Sequence, residues 1–200
     1  MNEITKEGCV EMKIQAVLID GFKNISNVRI LFDNITALVA LNNFGKSNVL
    51  SGIDFGLDFI KASIEDKKDM MSNSNLIPIN CSMIGKNYKY EMEVSTDIDG
   101  KEYIIQYGYE FEWKDNEDKK PRIVSEFLKA KLNEKGQKFT QLINRTADTA
   151  FYKSSETGRC SSKIKVEEAE LVANKLRAYD ELYYCLLYTS PSPRDYAASR

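Results

Sequence analysis

Gly45-Lys46-Ser47 stands between an apolar run, Ile35-Thr36-Ala37-Leu38-Val39, and a stretch in which Val49, Leu50, Ile53, Leu57 and Ile60 recur at helical spacing. The run predicts a buried strand and the spacing a helix, so these three residues fall where a strand turns into a helix. At such a point the first N–H groups of the helix and the positive end of its dipole face outward and hold anions. Gly45 lets the backbone approach phosphate oxygens, Lys46 supplies a point charge for the β/γ-phosphates, and the Ser47 hydroxyl is a ligand for Mg²⁺. The chemistry to expect is the binding of nucleotide phosphates.

The complete phosphate-loop pattern, G-x-x-x-x-G-K-[ST], has a glycine where this chain has Ala40. A methyl group there either fits at negative φ or pushes the loop out of its anion-cradling shape. Gly-Lys-Ser alone would also serve simply to start a helix; the apolar run before it and the helical period after it favour the phosphate loop. Other chemistries are excluded by composition. The chain has no histidine, which removes Ser-His-Asp and Cys-His schemes. Its four cysteines, Cys9, Cys81, Cys160 and Cys185, include no C-x-x-C pair, so neither a disulfide framework nor a common zinc arrangement is expected.

Three stretches together carry a resemblance: Gly21-Phe22-Lys23-Asn24-Ile25, then Ile35-Thr36-Ala37-Leu38-Val39, then Asn42-Asn43-Phe44-Gly45-Lys46-Ser47-Asn48. The sequence resembles the N-terminus of bacterial ATP-binding proteins of the SMC/RecF/OLD type, ABC-like P-loop ATPases, with Ala40 as the one departure from the family's loop. The resemblance implies an α/β fold, an incomplete P-loop NTPase comprising the N-terminal lobe of an ABC-like head with an antiparallel β-rich subdomain. It implies ATP and Mg²⁺ as cofactors, Asn42, Asn43, Phe44, Gly45, Lys46, Ser47 and Asn48 as nucleotide-binding residues, and Ser47 as the metal ligand. Lys23 matches the basic residue that lies near the nucleotide in that family, although a solvated loop lysine fits the same sequence. A head-to-head homodimer of the full-length protein and DNA are the partners it suggests, with DNA maintenance or phage defense as the process.

The remaining organisation follows from composition and pattern. With 42% hydrophobic and 29% charged residues the 200-residue chain is long and apolar enough to bury a core. A formal net charge of −2 gives no electrostatic reason to expect nucleic acid over the chain as a whole. The sequence has no apolar run of membrane-spanning length and no signal-peptide pattern at its start, which points to the cytoplasm. Residues 1–11 read as an irregular N-terminus and 12–184 as the N-terminal part of an ATPase head. Within that part, 12–64 hold two strands, the loop and its helix, 65–150 a β-rich subdomain, and 163–184 an amphipathic helix marked by Val166, Ala169, Val172, Leu176 and Tyr179. Residues 65–75 read as a loop or frayed helix end, and 151–162 as loose.

In the β-rich part, Tyr90, Met92 and Val94 alternate with polar residues, Asp99-Gly100 marks a turn, and Ile105, Tyr107, Tyr109, Phe111 and Trp113 alternate on the return. Base stacking on these rings competes with core packing; Glu102, Glu110 and Glu112 nearby favour the core. Strands over 123–132 and 139–145 follow, joined at Lys135-Gly136. Glu126 matches a glutamate in a strand of the resembled family, yet a lone strand glutamate reads first as an exposed cross-strand charge. Gln106, Gln137 and Gln141 are candidates for a glutamine that reaches Mg²⁺.

Residues 185–200 are expected to be an artefactual tail, because Cys185 to Asp195 matches the translation of a sequencing-library adapter. The apolar strand ending in Asp-Glu and the Ser-Gly-rich signature that ABC-like heads need for hydrolysis do not occur in the sequence. The expectation is an ATP-binding N-terminal half whose parent is an ATPase and which is itself inactive. The alternative is a nucleotide-independent β-rich interaction module with a degenerate loop.

Overall fold

The structure, a computed structural model, describes residues 12–39, 45–78, 80–98, 100–114, 120–153, 159–161 and 163–176. Among these, the strands are β1 (Lys13–Asp20), β2 (Val28–Leu31), β3 (Tyr88–Ile98), β4 (Lys101–Glu112), β5 (Arg122–Leu132), β6 (Thr140–Thr146), β7 (Thr149–Tyr152) and β8 (Ile164–Lys165). They form one sheet in the order β2-β1-β3-β4-β5-β6-β7-β8, antiparallel at every pairing. Helices α1 (Lys46–Lys61) and α2 (Ile64–Met71) fall between β2 and β3, and α3 (Val172–Leu176) follows β8. The β3–β4 hairpin, paired out to Ile98 and Lys101, and the β5–β6 pair closed at Lys135-Gly136 lie where alternation and turn residues predict them.

Alternation gives this sheet two unlike faces. On the covered face one register row crosses all eight strands, from Val28 through Ile19, Tyr90, Tyr109, Glu126, Arg145 and Ala150 to Ile164. Helix α1 lies over this face through rings. Phe59 stacks on Tyr109 and Phe111 with centroids 5.0 Å and 4.9 Å away, and Phe55 meets Tyr88 edge-on at 5.0 Å. The aromatic row is therefore core, with Tyr88, Tyr90, Tyr107, Tyr109, Phe111 and Trp113 all buried, and none of these faces is open to a base. The Tyr88 and Tyr109 hydroxyls donate to the α1 carbonyls of Gly52 and Gly56, at 3.2 Å and 2.9 Å. Burial pushes both hydroxyls well above the usual tyrosine pKa, so they remain protonated donors.

Several expectations need correction. What is described is a mostly antiparallel sheet with few helices, and the buried strand expected at Ile35 to Val39 is not formed. The chain leaves the sheet at Asp33-Asn34, where the Asp33 N–H donates to Thr36 Oγ1, and Ile35 and Val39 are 91% and 92% exposed. The apolar run pairs with none of the described strands, although β2 stands at the edge of the sheet with only β1 beside it. Residues 64–71 are helix, not loop: Ser63 caps α2 by accepting from the Asp66 N–H. Lys67 is buried, with its ammonium on the Ala62 carbonyl and 5.7 Å from the Phe59 ring centroid. Strand β7 occupies part of a stretch read as loose. Of the helix expected over 163–184, only Val172–Leu176 is helical among the described residues; Val166 and Ala169 are buried without helix, and Tyr179 lies outside the described residues.

Glu126 is the sharpest reversal. It is 1% exposed, directly opposite Arg145, itself 2% exposed. The Glu126 carboxylate accepts from the Val172 N–H at 2.6 Å, the Ala173 N–H at 3.0 Å and the Tyr107 hydroxyl at 3.0 Å. Arg145 donates to the carbonyls of Ala147, Glu167 and Glu170. A buried charge is tolerated when its hydrogen bonds are satisfied and an opposite charge is near, and both conditions hold. The pair thereby holds residues 167–173 on the sheet. Desolvation raises the Glu126 pKa, against the lowering effect of the Ala173 and Val172 N–H groups, Arg145 and Tyr107.

Two measurements follow from this packing. A Cβ at Gly56 would lie 2.2 Å from atoms of the Tyr90 ring, so Gly56→Ala should cost about 1–3 kcal/mol, read as a lower urea midpoint at constant slope. With its folded pKa above the unfolded one, Glu126 contributes stability that is fully present below the unfolded pKa. That contribution is lost as pH rises through the folded value. The stability gap between the native protein and Glu126→Gln should therefore narrow as pH rises out of the ordinary glutamate range. A widening gap would show that the fold favours the ionised form.

Candidate functional site

The chemistry-bearing residues meet where α1 begins. Phe22 is buried against Phe55 and Tyr88, with centroids 5.4 Å and 6.0 Å away, and this anchors the turn that follows it. Phe22 and Ile25 close that turn by exchanging backbone hydrogen bonds of 3.3 Å and 2.7 Å. Trp113 Nε1 donates to the Gly21 carbonyl at 2.9 Å and the Lys23 N–H to the Leu76 carbonyl at 2.9 Å, so both sides of the turn are tied to the core. Lys23 sits at φ +51° in the left-handed region, which a non-glycine residue keeps only where its surroundings fix it.

Against this turn stands the first turn of α1. Gly45 is the N-cap, at φ +93°, a conformation that a side chain would strain. It offers no oxygen to cap the helix, and the first turn carries no acidic residue. The Val49 N–H already bonds the Gly45 carbonyl at 2.9 Å, so the helix is fully wound from its first residue. Lys46 and Asn48 are half-buried and Ser47 is exposed. Asn48 Nδ2 donates to Asn24 Oδ1 at 2.7 Å, and a Cβ on Gly45 would come within 3.1 Å of Asn24 Nδ2. The first N–H groups of α1, which receive no side-chain cap from Gly45, form with the helix dipole the kind of end that accepts an anion.

Of the residues expected at the site, Gly45, Lys46, Ser47 and Asn48 are gathered at the start of α1, and Lys23 belongs to the turn beside it. Asn42, Asn43 and Phe44 lie outside the described residues, as does Ala40. Gln106 and Gln141 share a register row through Lys129 on the sheet face opposite α1, where Gln106 Nε2 bonds Glu93 at 2.7 Å and Gln141 Nε2 bonds the Ile143 carbonyl at 2.7 Å. Gln137 occupies the turn between β5 and β6. Sequence reasoning missed Asn24 as a brace. Its signal was there in an asparagine within a tight turn, a residue type that favours such backbone.

No known family model matches the chain, and no curated protein matches it. Among the described residues no helix is long and apolar enough to cross a membrane.

The Asn24–Asn48 bond is the one side-chain link described between turn and helix start. Asn24→Ala should cost about 0.5–1.5 kcal/mol and speed amide hydrogen exchange in residues 46–50. Unchanged exchange there would show that the backbone contacts alone hold the helix start.

Proposed function

We propose that the chain binds ATP as the N-terminal part of an SMC/RecF/OLD-like ATPase, its fold an incomplete ABC-like P-loop head. The observation that carries this reading is Gly45, left-handed and without a capping side chain, placed directly before Lys46 and Ser47 at the start of a 16-residue helix. A phosphate there would meet the N–H groups of the first turn, the helix dipole and an adjacent ammonium, which is the set of groups that holds nucleotide phosphates. Ser47, exposed in the first turn, is the residue that would hold Mg²⁺; the bound ion would neutralise phosphate charge. Lys23, on a turn braced against the same helix start, is the basic residue that would lie near the nucleotide. Hydrolysis would need a C-terminal half that supplies the Asp-Glu strand and signature residues, with a head-to-head homodimer; DNA as a partner rests on the resemblance alone.

A second reading is favoured by the exposure of Ile35 and Val39. In the first reading, these residues lack the strands that a C-terminal half would bring. In the second, a β-rich interaction module has lost its phosphate loop, and the exposed run is a docking segment.

Mg-ATP separates the two. A ligand that binds only the folded state at about 100 times its Kd adds about 2.7 kcal/mol, so melting temperature should rise by several degrees. Lys46→Ala should abolish that rise. No shift at saturating Mg-ATP would leave the interaction module standing. The chain should show no turnover; Mg²⁺-dependent ATPase activity lost on Lys46→Ala would remove the requirement for a second half.

A further inference from the structure

The sheet face opposite α1 is divided electrically along the β4–β5 boundary. On the β3–β4 side, Glu93, Glu102 and Glu110 are bonded by neutral amides among the described residues, those of Gln106 at 2.7 Å, Asn133 at 2.7 Å and Asn87 at 2.6 Å. These bonds orient the carboxylates without cancelling their charge. Glu91 and Glu112 on the same side are offset by Lys89 and Arg122, and Arg29 lies at the margin. On the β5–β8 side, the only acidic residue within the strands is Glu126, which points to the covered face. That side carries Lys129, Lys131 and Lys165. The first two hold their ammonium groups over the Phe127 and Phe139 rings, at 5.3 Å and 4.8 Å.

Between the two halves an aromatic ring covers the middle of the face. Phe127 lies across Gly108, where a Cβ would be 2.6 Å from the ring, and Glu91 folds its stem against the same spot. A shallow groove of about 300 Å³ runs beside it, with Leu18, Glu91, Glu93, Gln106, Phe127 and Lys129 in its lining. Phe139 and Phe151, 36% and 48% exposed, continue the apolar surface outward.

We propose that this face docks on the same face of a second copy of the chain, about a two-fold axis running along the strands above the β4–β5 boundary. That axis sets the β3–β4 carboxylates of one copy over the β5–β8 lysines of the other, twice, and brings the two Phe127 rings to the centre. A surface with opposite charge on its two halves and an aromatic middle is its own complement under this rotation, as a two-fold interface requires. Rotation about an axis across the strands would set acid on acid. The size is adequate: about five strands, roughly 4.8 Å apart, and about ten residues of roughly 3.3 Å give on the order of 800 Å² a side, about what a standard interface buries on each partner. This face is distinct from the α1 end, so the interface does not depend on nucleotide.

Sedimentation of the chain in low and high salt tests the arrangement. The chain should be dimeric at low salt and dissociate as salt rises, since part of the attraction is screened. Lys129→Glu with Lys131→Glu makes both halves acidic, and Glu93→Lys with Glu102→Lys makes both basic. Each double variant alone should be monomeric with an unchanged circular dichroism spectrum, and an equimolar mixture should form a heterodimer. A native chain that stays monomeric at low salt would overturn the proposal. So would a dimer that survives either charge reversal, or folded variants that fail to associate when mixed. Binding of another protein or of a single-stranded oligonucleotide to the monomeric native chain at this face would assign the surface to that partner instead.

Discussion

The close approach of α1 to the sheet at Gly52 and Gly56 is the constraint from which the rest of the molecule follows. With no side chains at these two positions, the helix sits near enough for Tyr88 and Tyr109 to reach its carbonyls. The Tyr90 ring occupies the space a Cβ of residue 56 would need. A hydroxyl at the end of a buried ring is costly unless bonded. Here the helix backbone supplies the acceptors, so the rings can be both core and donor. Because the contact is by backbone, it fixes the helix in translation as well as orientation. The start of α1 is thereby placed beside the Phe22–Ile25 turn, whose own anchor, Phe22, belongs to the same ring cluster.

The second fixed point is electrostatic. Glu126 accepts from two N–H groups at the start of α3, and Arg145 donates to the carbonyls of Glu167 and Glu170 just before it. A five-residue helix has little stability of its own, so α3 exists because a buried carboxylate satisfies its first turn. Asn174 Nδ2 then donates to the Ile60 carbonyl at 3.0 Å. The C-terminal segment therefore touches the far end of the same helix whose start carries Gly45, Lys46 and Ser47. The two anchors, the ring cluster and the buried Glu126 and Arg145 side chains, are joined through α1.

Sequence pattern reached some of this and not the rest, for physical reasons. The strands over 88–98, 101–112 and 122–132 were legible because period-two burial repeats over many residues and turn residues punctuate it. The start of α1 at Gly45 was legible from helical spacing after a glycine. Strand β7 was not, since four residues beside a polar stretch carry too little alternation. Glu126 was misread because charge alone does not reveal burial; its partners come from β4, β6 and the start of α3, distant in sequence. Ile35 to Val39 was misread in the opposite sense. Its residues favour a strand, but a strand forms only where a neighbour offers hydrogen bonds, and β-propensity is context-dependent.

The two faces of the sheet also divide what the molecule can do. On the covered face the rings, Glu126 and Arg145 are engaged in holding α1 and α3, so these side chains are not free to meet a ligand. The two proposed binding places are the start of α1 and the opposite face, where charges stand in water. At the start of α1 the groups are mostly backbone N–H, whose positions are set by the helix and which need little reorganisation to meet an anion. On the open face they are long side chains, whose attraction is weaker and screened by salt. A small anionic ligand and a broad protein surface are thus the partners that suit the two places, each matched to how firmly its groups are held.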